Sequence, residues 1–587
     1  MKRSRKFIAV TAAACMTLGT AVTPALAAEA SGSLTEVLRA QMAKQLEVMG
    51  ADYAEGYAQF EQPFSVSADI SLVPGMAAAN LVQAFGIDIS WLKNIKLTMD
   101  ESVVDPDLYA KFSAVLNDNV VLSGEELYSL AEQVVRMRFP ELSDQAISAN
   151  MEETIDYLSK AAEQAAAEYD TSETGDDAIS QYVDEGTVEE AAASISMLKL
   201  LTQFHSMKDI QALAPTPEQF ESIVSRYMNI MLDHITDLSA EADKVEVGEV
   251  SVDATAYSGT MDAEAFAAYT KELLDTIKTD EDLLPYVEKL LSFTDQVSYD
   301  EFVAGLEEAS TELAEMTPAD MGLGEGSIFD LVVWTDANGE FIGEYESMNM
   351  NGESFEMSFM APSDGVKSAL DVELSLPEGM TDSGITSIVL AGSGDVVNGA
   401  TTGDYVLTVQ GQDVAAFHAE DIVYDEAARS CSGNITASII APEDTEDYQL
   451  AMISQFTLGI NYGMDKENAA VDLTLGMGGM DIATLTLSAA ETIGSAGEIP
   501  AADTFEPSVN ALDQEAVNQL VGSIDPNVIL GNLISAGMPA EFIQQIGSLM
   551  GGSDAAADVA SPAASDSVAS VAEPAADEVA SVAEPAA

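Results

Sequence analysis

The chain predicts an α+β fold, a large curved antiparallel sheet packed against amphipathic helices, followed by a disordered C-terminal tail. Three observations carry that expectation. Before about residue 326, apolar residues in several segments recur every three or four positions, the period of a one-sided helix. After it they recur every second position, the period of a strand with one wet face. Beyond Gly551 the composition contracts to Ala, Ser, Val, Glu, Asp and Pro, too little apolar bulk to offset the entropy of ordering.

In chain order, Lys2, Arg3, Arg5 and Lys6 precede an apolar run and then the segment "TPALAAEA". This is the anatomy of a secretory signal over residues 1–27, with Ala25 and Ala27 as the small residues of the cleavage site. A lipid anchor on Cys15 is the alternative, opposed by the Ala at position 12. Residues 28–325 read as a helix-rich half with early strands. Residues 34–60 predict a helix, and "PFSVSADISLV", "IDISWLKNIKLTMD" and "LYAKFSAVLND" predict strands. Capping boxes are expected at Ser123 with Glu126, Thr187 with Glu190, Thr216 with Gln219 and Ser298 with Glu301. Past Thr216, Pro217 stands at the first helical position, and Phe220, Ile223, Tyr227, Ile230 and His234 share one face. Phe266, Tyr269, Leu273 and Ile277 repeat the device.

Residues 326–505 predict an antiparallel meander packed on the first half. Leu370, Val372, Leu374 and Leu376 alternate with Asp371, Glu373 and Ser375, while Phe456, Leu458, Ile460, Tyr462 and Met464 share a side. Val471, Leu473, Leu475 and Met477 do the same. Asn338-Gly339 predicts a tight type I′ hairpin. Helices are expected again in residues 506–550, near Asp513–Leu520 and Pro526–Leu549. In the tail, residues 551–587, an eleven-residue unit occurs twice, and Pro574 and Pro585 interrupt its copies.

Charge and composition exclude several functions. The chain holds 22 basic residues against 100 acids, a formal net charge of -78. Removing residues 1–27 takes away four bases and no acid, leaving 18 against 100. That field repels phosphate backbones, so no nucleic-acid partner is expected. No stretch predicts a transmembrane segment. The two cysteines are Cys15 and Cys431, so export would leave one thiol and no internal disulfide.

A search for chemistry returns little, and no catalytic residue, metal site or cofactor is expected. "TDANGE" at 335–340 has an acidic glycine turn, but Trp334 and Tyr345 occupy ligand positions of a calcium loop, and a hairpin explains it better. "SWLK" at 90–93 has Ser-x-x-Lys spacing without the companion motifs of penicillin-recognising enzymes. His205, His234 and His418 lack ligand spacing; His234 reads as a core histidine and His418 as solvent-facing. Cys431 has no His context and reads as inert. Met348, Met350, Met357, Met360 and Met464 fill a core or furnish an adaptable apolar surface.

The segments "VSVDATAYSGTMDAEAFAAYTKELLDTI" at 250–277 and "FDLVVWTDANGEFIGEYES" at 329–347 give a strand with a Tyr, a capped helix and a long hairpin. This order resembles uncharacterised exported proteins and lipoproteins of Gram-positive bacteria, similar in turn to periplasmic lipoprotein carriers. The resemblance implies a curved sheet that wraps helices and holds acyl chains; it transfers no functional residue, and fold likeness alone does not establish activity. The function expected is a secreted, non-enzymatic protein that binds an apolar ligand or surface partner, on a face marked by Met357, Phe359, Phe456, Leu458 and Tyr462. A structural or adhesive envelope role is the alternative, and a carboxylate-based hydrolase a third.

Overall fold

The computed structural model describes residues 33–84, 88–160, 199, 202–292, 297–350, 352–377, 384–425, 428–441 and 448–543. The expected signal with Cys15, Ala25 and Ala27, the box at Thr187 and Glu190, and the repeat-bearing tail lie outside these residues.

Among the described residues, twenty strands join in one mixed α+β architecture. The first meander contains β1 (Phe64–Pro74), β2 (Ile95–Val104), β3 (Asp107–Leu116), β4 (Asn119–Ser129), β5 (Val134–Arg138) and β6 (Ala146–Asn150). A second begins with β7 (Thr236–Val247), β8 (Val250–Asp262), β9 (Ser327–Asp336), β10 (Phe341–Met350), β11 (Glu353–Met360) and β12 (Lys367–Ser375). It continues through β13 (Ser387–Val397), β14 (Ala400–Val409), β15 (Gln412–Asp425), β16 (Ser430–Ile439), β17 (Phe456–Met464), β18 (Asn468–Met477) and β19 (Met480–Ile493). Each strand of either meander pairs antiparallel with its successor. The two meanders are joined edge to edge, because β1 pairs with β19 from Phe64↔Ile493 to Pro74↔Ala483. A short β20 (Ser508–Asn510) adds a parallel pairing, to β6.

Tight turns explain the unbroken antiparallel order. Asn117 and Asp118 both take positive φ between β3 and β4, as do Asn398-Gly399, Gln410-Gly411 and Gly478-Gly479 farther on, so strands reverse within two residues. The Asn338-Gly339 expectation needs correction in type. Asp336 N donates to Glu340 O at 2.8 Å and only Gly339 has positive φ, which makes a three-residue loop rather than a type I′ turn. The box expected at Ser123 and Glu126 is also overturned, since both lie within β4. The Asn117-Asp118 hairpin commits that segment to the ladder, and the Ser123 hydroxyl donates instead to Glu141 Oε1 at 2.6 Å. Ser90, expected in a strand, lies exposed in a turn before β2.

Among the helices of the described residues are α1 (Leu34–Gln59), α2 (Met76–Ala84), α3 (Met207–Gln211), α4 (Pro217–Asp233), α5 (Ala263–Thr279), α6 (Leu284–Leu291), α7 (Tyr299–Glu315), α8 (Tyr448–Ile453), α9 (Gln514–Ser523) and α10 (Pro526–Ser535). Thr216 with Gln219 and Ser298 with Glu301 close full capping boxes at α4 and α7, and Asp262 caps α5. The main core forms where α1, α4, α5 and α7 meet β8, β9 and β10. It joins Leu34, Val37, Leu38 and Met42 to Met231, Phe266, Tyr269, Leu274 and Leu313, and these to Tyr257, Met261, Phe329, Leu331, Val333 and Met348. At the far end, α10 packs Ile529 and Leu533 near Leu116 and Val121. On the opposite face the β7–β8 hairpin turns back toward β12, where Val245, Val247 and Val250 cluster with Ala369 and Glu249 pairs with Lys367.

Candidate functional site

Directly opposed residues of an antiparallel pair lie on the same face, so the register traces one surface across the sheet. Starting from Phe329, Leu331 and Val333 of β9, it passes through Glu344, Glu346 and Met348 of β10 to Phe355, Met357 and Phe359 of β11. It continues through Val372 and Leu374, then Ile388 and Leu390, Tyr405 and Leu407, Phe417, Ile435, and Leu458, Ile460 and Tyr462. Beyond β17 come Val471, Leu473 and Leu475, then Leu485 and Leu487, Ile70 and Leu72, and Leu97 and Met99. The other face carries Asp404 with His418, and Asn461, Asp472, Thr474, Thr484 and Thr486 in mutual hydrogen bonds. One side is therefore apolar and the other polar along the meander. The residues expected to mark an apolar face, Met357, Phe359, Phe456, Leu458 and Tyr462, share this surface by register, in two groups on β11 and β17.

The helices cover only part of it. Phe329, Leu331 and Val333 are buried beneath the helices, whereas Leu458 and Leu475 are each 39% exposed and Leu97 is 52% exposed.

Across the intermediate stretch lies α1. Its Leu34 Cδ2 stands 2.6 Å from where a Cβ on Gly259 of β8 would be. Its other end reaches the turns beside β16 and β17, where Asp52 pairs with Arg429 and Glu55 with Lys466 at 2.6 Å. From Leu34 to Asp52 the helix rises about 27 Å at 1.5 Å per residue. The eight strand intervals from β8 to β16 would measure about 38 Å on a flat sheet. The sheet therefore bends or coils toward the helix, which crosses it as a chord. Val48 and Met49 precede Asp52 by four and three residues and so share its sheet-directed side. They are nevertheless 38% and 47% exposed. Helix and sheet thus both carry exposed apolar side chains, and the uncovered apolar face, with α1 anchored at its rim, is the candidate site.

Acids interrupt the apolar face at both ends, Glu344, Glu346 and Glu353 toward the covered end, and Glu101, Glu126 and Glu491 at the other. Glu346 is 1% exposed and Glu344 5%. Neither carboxylate oxygen of Glu346 has a hydrogen-bond partner. Burial, reinforced by the Glu346 charge, pushes the Glu344 carboxyl up to about 8, and burial alone pushes Glu346 up to about 7. Pattern reading missed both. In "GEYESM" the acids alternate with Tyr345, so periodicity alone assigns them to the wet side.

The remaining candidates have local explanations. Asp336 accepts from the amides of Asn338 and Glu340, both at 2.8 Å, which uses the carboxylate for the hairpin. His234 caps the end of α4 instead of continuing its apolar stripe, and its Nε2 meets Glu272 at 2.8 Å. His418 meets Asp404, and His205 lies 3.3 Å from Gln133 Nε2. Cys431 is a half-buried free thiol within β16. The methionines do not form one surface: Met348 belongs to the main core, Met360 packs against the cluster on the opposite face, and Met464 is exposed. Among the described residues no group of three or more His, Cys, Asp or Glu is placed to hold a metal, and no helix is long and apolar enough to cross a membrane. Comparison with known protein families, with curated proteins and with solved structures finds no match.

Proposed function

We propose that this protein binds a linear apolar ligand, an acyl or alkyl chain, between α1 and the apolar face of its sheet. The observation that carries the reading is the exposure of apolar side chains on both elements, Val48 and Met49 on α1 and Leu458 and Leu475 on the apolar face of β17 and β18. A flexible chain suits that space better than a folded partner, because α1 lies across the floor and blocks a flat docking surface. The role is binding and not catalysis, and the basic and apolar N-terminal sequence supports its exercise outside the cytoplasm.

The test is titration of the purified chain with an alkyl alcohol carrying an environment-sensitive fluorophore, alongside solvent extraction and mass spectrometry for co-purified lipid. Wild type is expected to bind saturably and Leu458→Asp with Leu475→Asp to lose binding while keeping its circular dichroism. Failure of wild type to bind the probe, with no lipid in the extract, favours a structural envelope role instead.

A further inference from the structure

The reading above leaves two features unused: the acids Glu344 and Glu346, and the lack, among the described residues, of an ion pair to either. They are two residues apart on β10, so both point to the apolar face about 7 Å apart along the strand. Their cross-strand neighbours on β11 are Phe359 and Met357, the first floor residues outside the helix-covered core. Among the described residues no ion pair involves either acid. A carboxyl buried without a partner forfeits its hydration, and two leucines would fill that volume without this cost.

Resting on the acyl-chain reading, we propose that Glu344 and Glu346 form the head-group end of the groove and select an amphiphile whose head is a protonated amine. Three properties point to this class. An ammonium carries three donors, matching the two orphaned oxygens of Glu346 and one from Glu344. Its charge compensates the ionised carboxylate, which a hydroxyl head does not. A chain with 100 acids against 22 bases repels carboxylate and phosphate heads while it draws cations. Met357, half-buried on the neighbouring strand and flexible about its thioether, is the side chain that yields to admit the head.

The experiment is displacement of the fluorescent alkyl probe at pH 7.5 by hexadecylamine, 1-hexadecanol and hexadecanoate, with wild type, Glu344→Gln/Glu346→Gln, the single Glu346→Gln and Glu101→Gln/Glu126→Gln. Wild type is expected to hold the amine at least tenfold tighter than the alcohol and the acid weakest. In the double variant at β10 the amine-to-alcohol ratio falls to near one with alcohol affinity kept, in the single variant it falls part-way, and Glu101→Gln/Glu126→Gln preserves it. Equal affinity for amine and alcohol in wild type overturns the head-group assignment and leaves the groove reading standing. A preference that survives in Glu344→Gln/Glu346→Gln, or disappears in Glu101→Gln/Glu126→Gln alone, overturns the placement. Binding of none of the three overturns both.

Discussion

Strands β9 and β17 carry the same alternating pattern and meet different fates. In β9, Phe329, Leu331 and Val333 are fully buried in one cluster with side chains of α1, α4, α5 and α7. In β17, Phe456, Ile460 and Tyr462 are half-buried, and Leu458 remains exposed. Period-two alternation decides which side chains share a face, but it says nothing about what lies on that face. The difference separates stability from the proposed binding role: the covered strands hold the fold, and the uncovered strands are the surface proposed for a ligand.

The largest expected effect lies on the covered side. Phe329→Ala empties a fully buried position and is expected to destabilise by about 3–5 kcal/mol in denaturant unfolding. A loss below about 1 kcal/mol would show that β9 is no more core than β17.

Next comes pH, which tests the boundary between the regions. Glu344 and Glu346 have carboxyls raised above their ordinary value, so the folded state binds more protons than the unfolded one between about 4.5 and 8. Their contribution is fully present below about pH 4.5 and is lost as pH rises through about 7 and 8. A shift of the size given for Glu346 corresponds to about 3 kcal/mol at 1.36 kcal/mol per unit. Unfolding free energy measured from pH 5 to 9 is expected to decline over this window, and Glu344→Gln/Glu346→Gln is expected to flatten the decline. An unchanged slope would show that these acids are hydrated.

The smallest effect belongs to the uncovered side. Leu458→Ala with Leu475→Ala removes side chains that are already exposed, and is expected to cost under about 1 kcal/mol in unfolding while weakening the alkyl probe several-fold. A core-sized loss of stability would mean that this floor is closed.

Much of the fold was legible. Thr216-Pro217 and Ser298 announced their helices because a cap satisfies backbone amides within four residues, whatever the rest of the chain does. The alternation in β12, β17 and β18 was legible for the same local reason. The failures came where two local readings competed. Ser123 and Glu126 satisfy a capping spacing, but the Asn117-Asp118 turn placed them in a hairpin already paired to β3. Of the site, the floor residues were readable from alternation, whereas Val48, Met49, Glu344 and Glu346 became visible only when α1 was seen to cross the sheet.

By itself, then, the sequence determined local periods, caps, turns and an overwhelming negative charge, because each depends on residues close together in the chain. Tertiary structure alone decided that β1 joins β19 across more than 400 residues of sequence. It also decided that α1 spans a bent sheet and that two acids face the apolar side. Those outcomes depend on which strand edges and helix faces find one another in space, and no spacing within one segment encodes that choice.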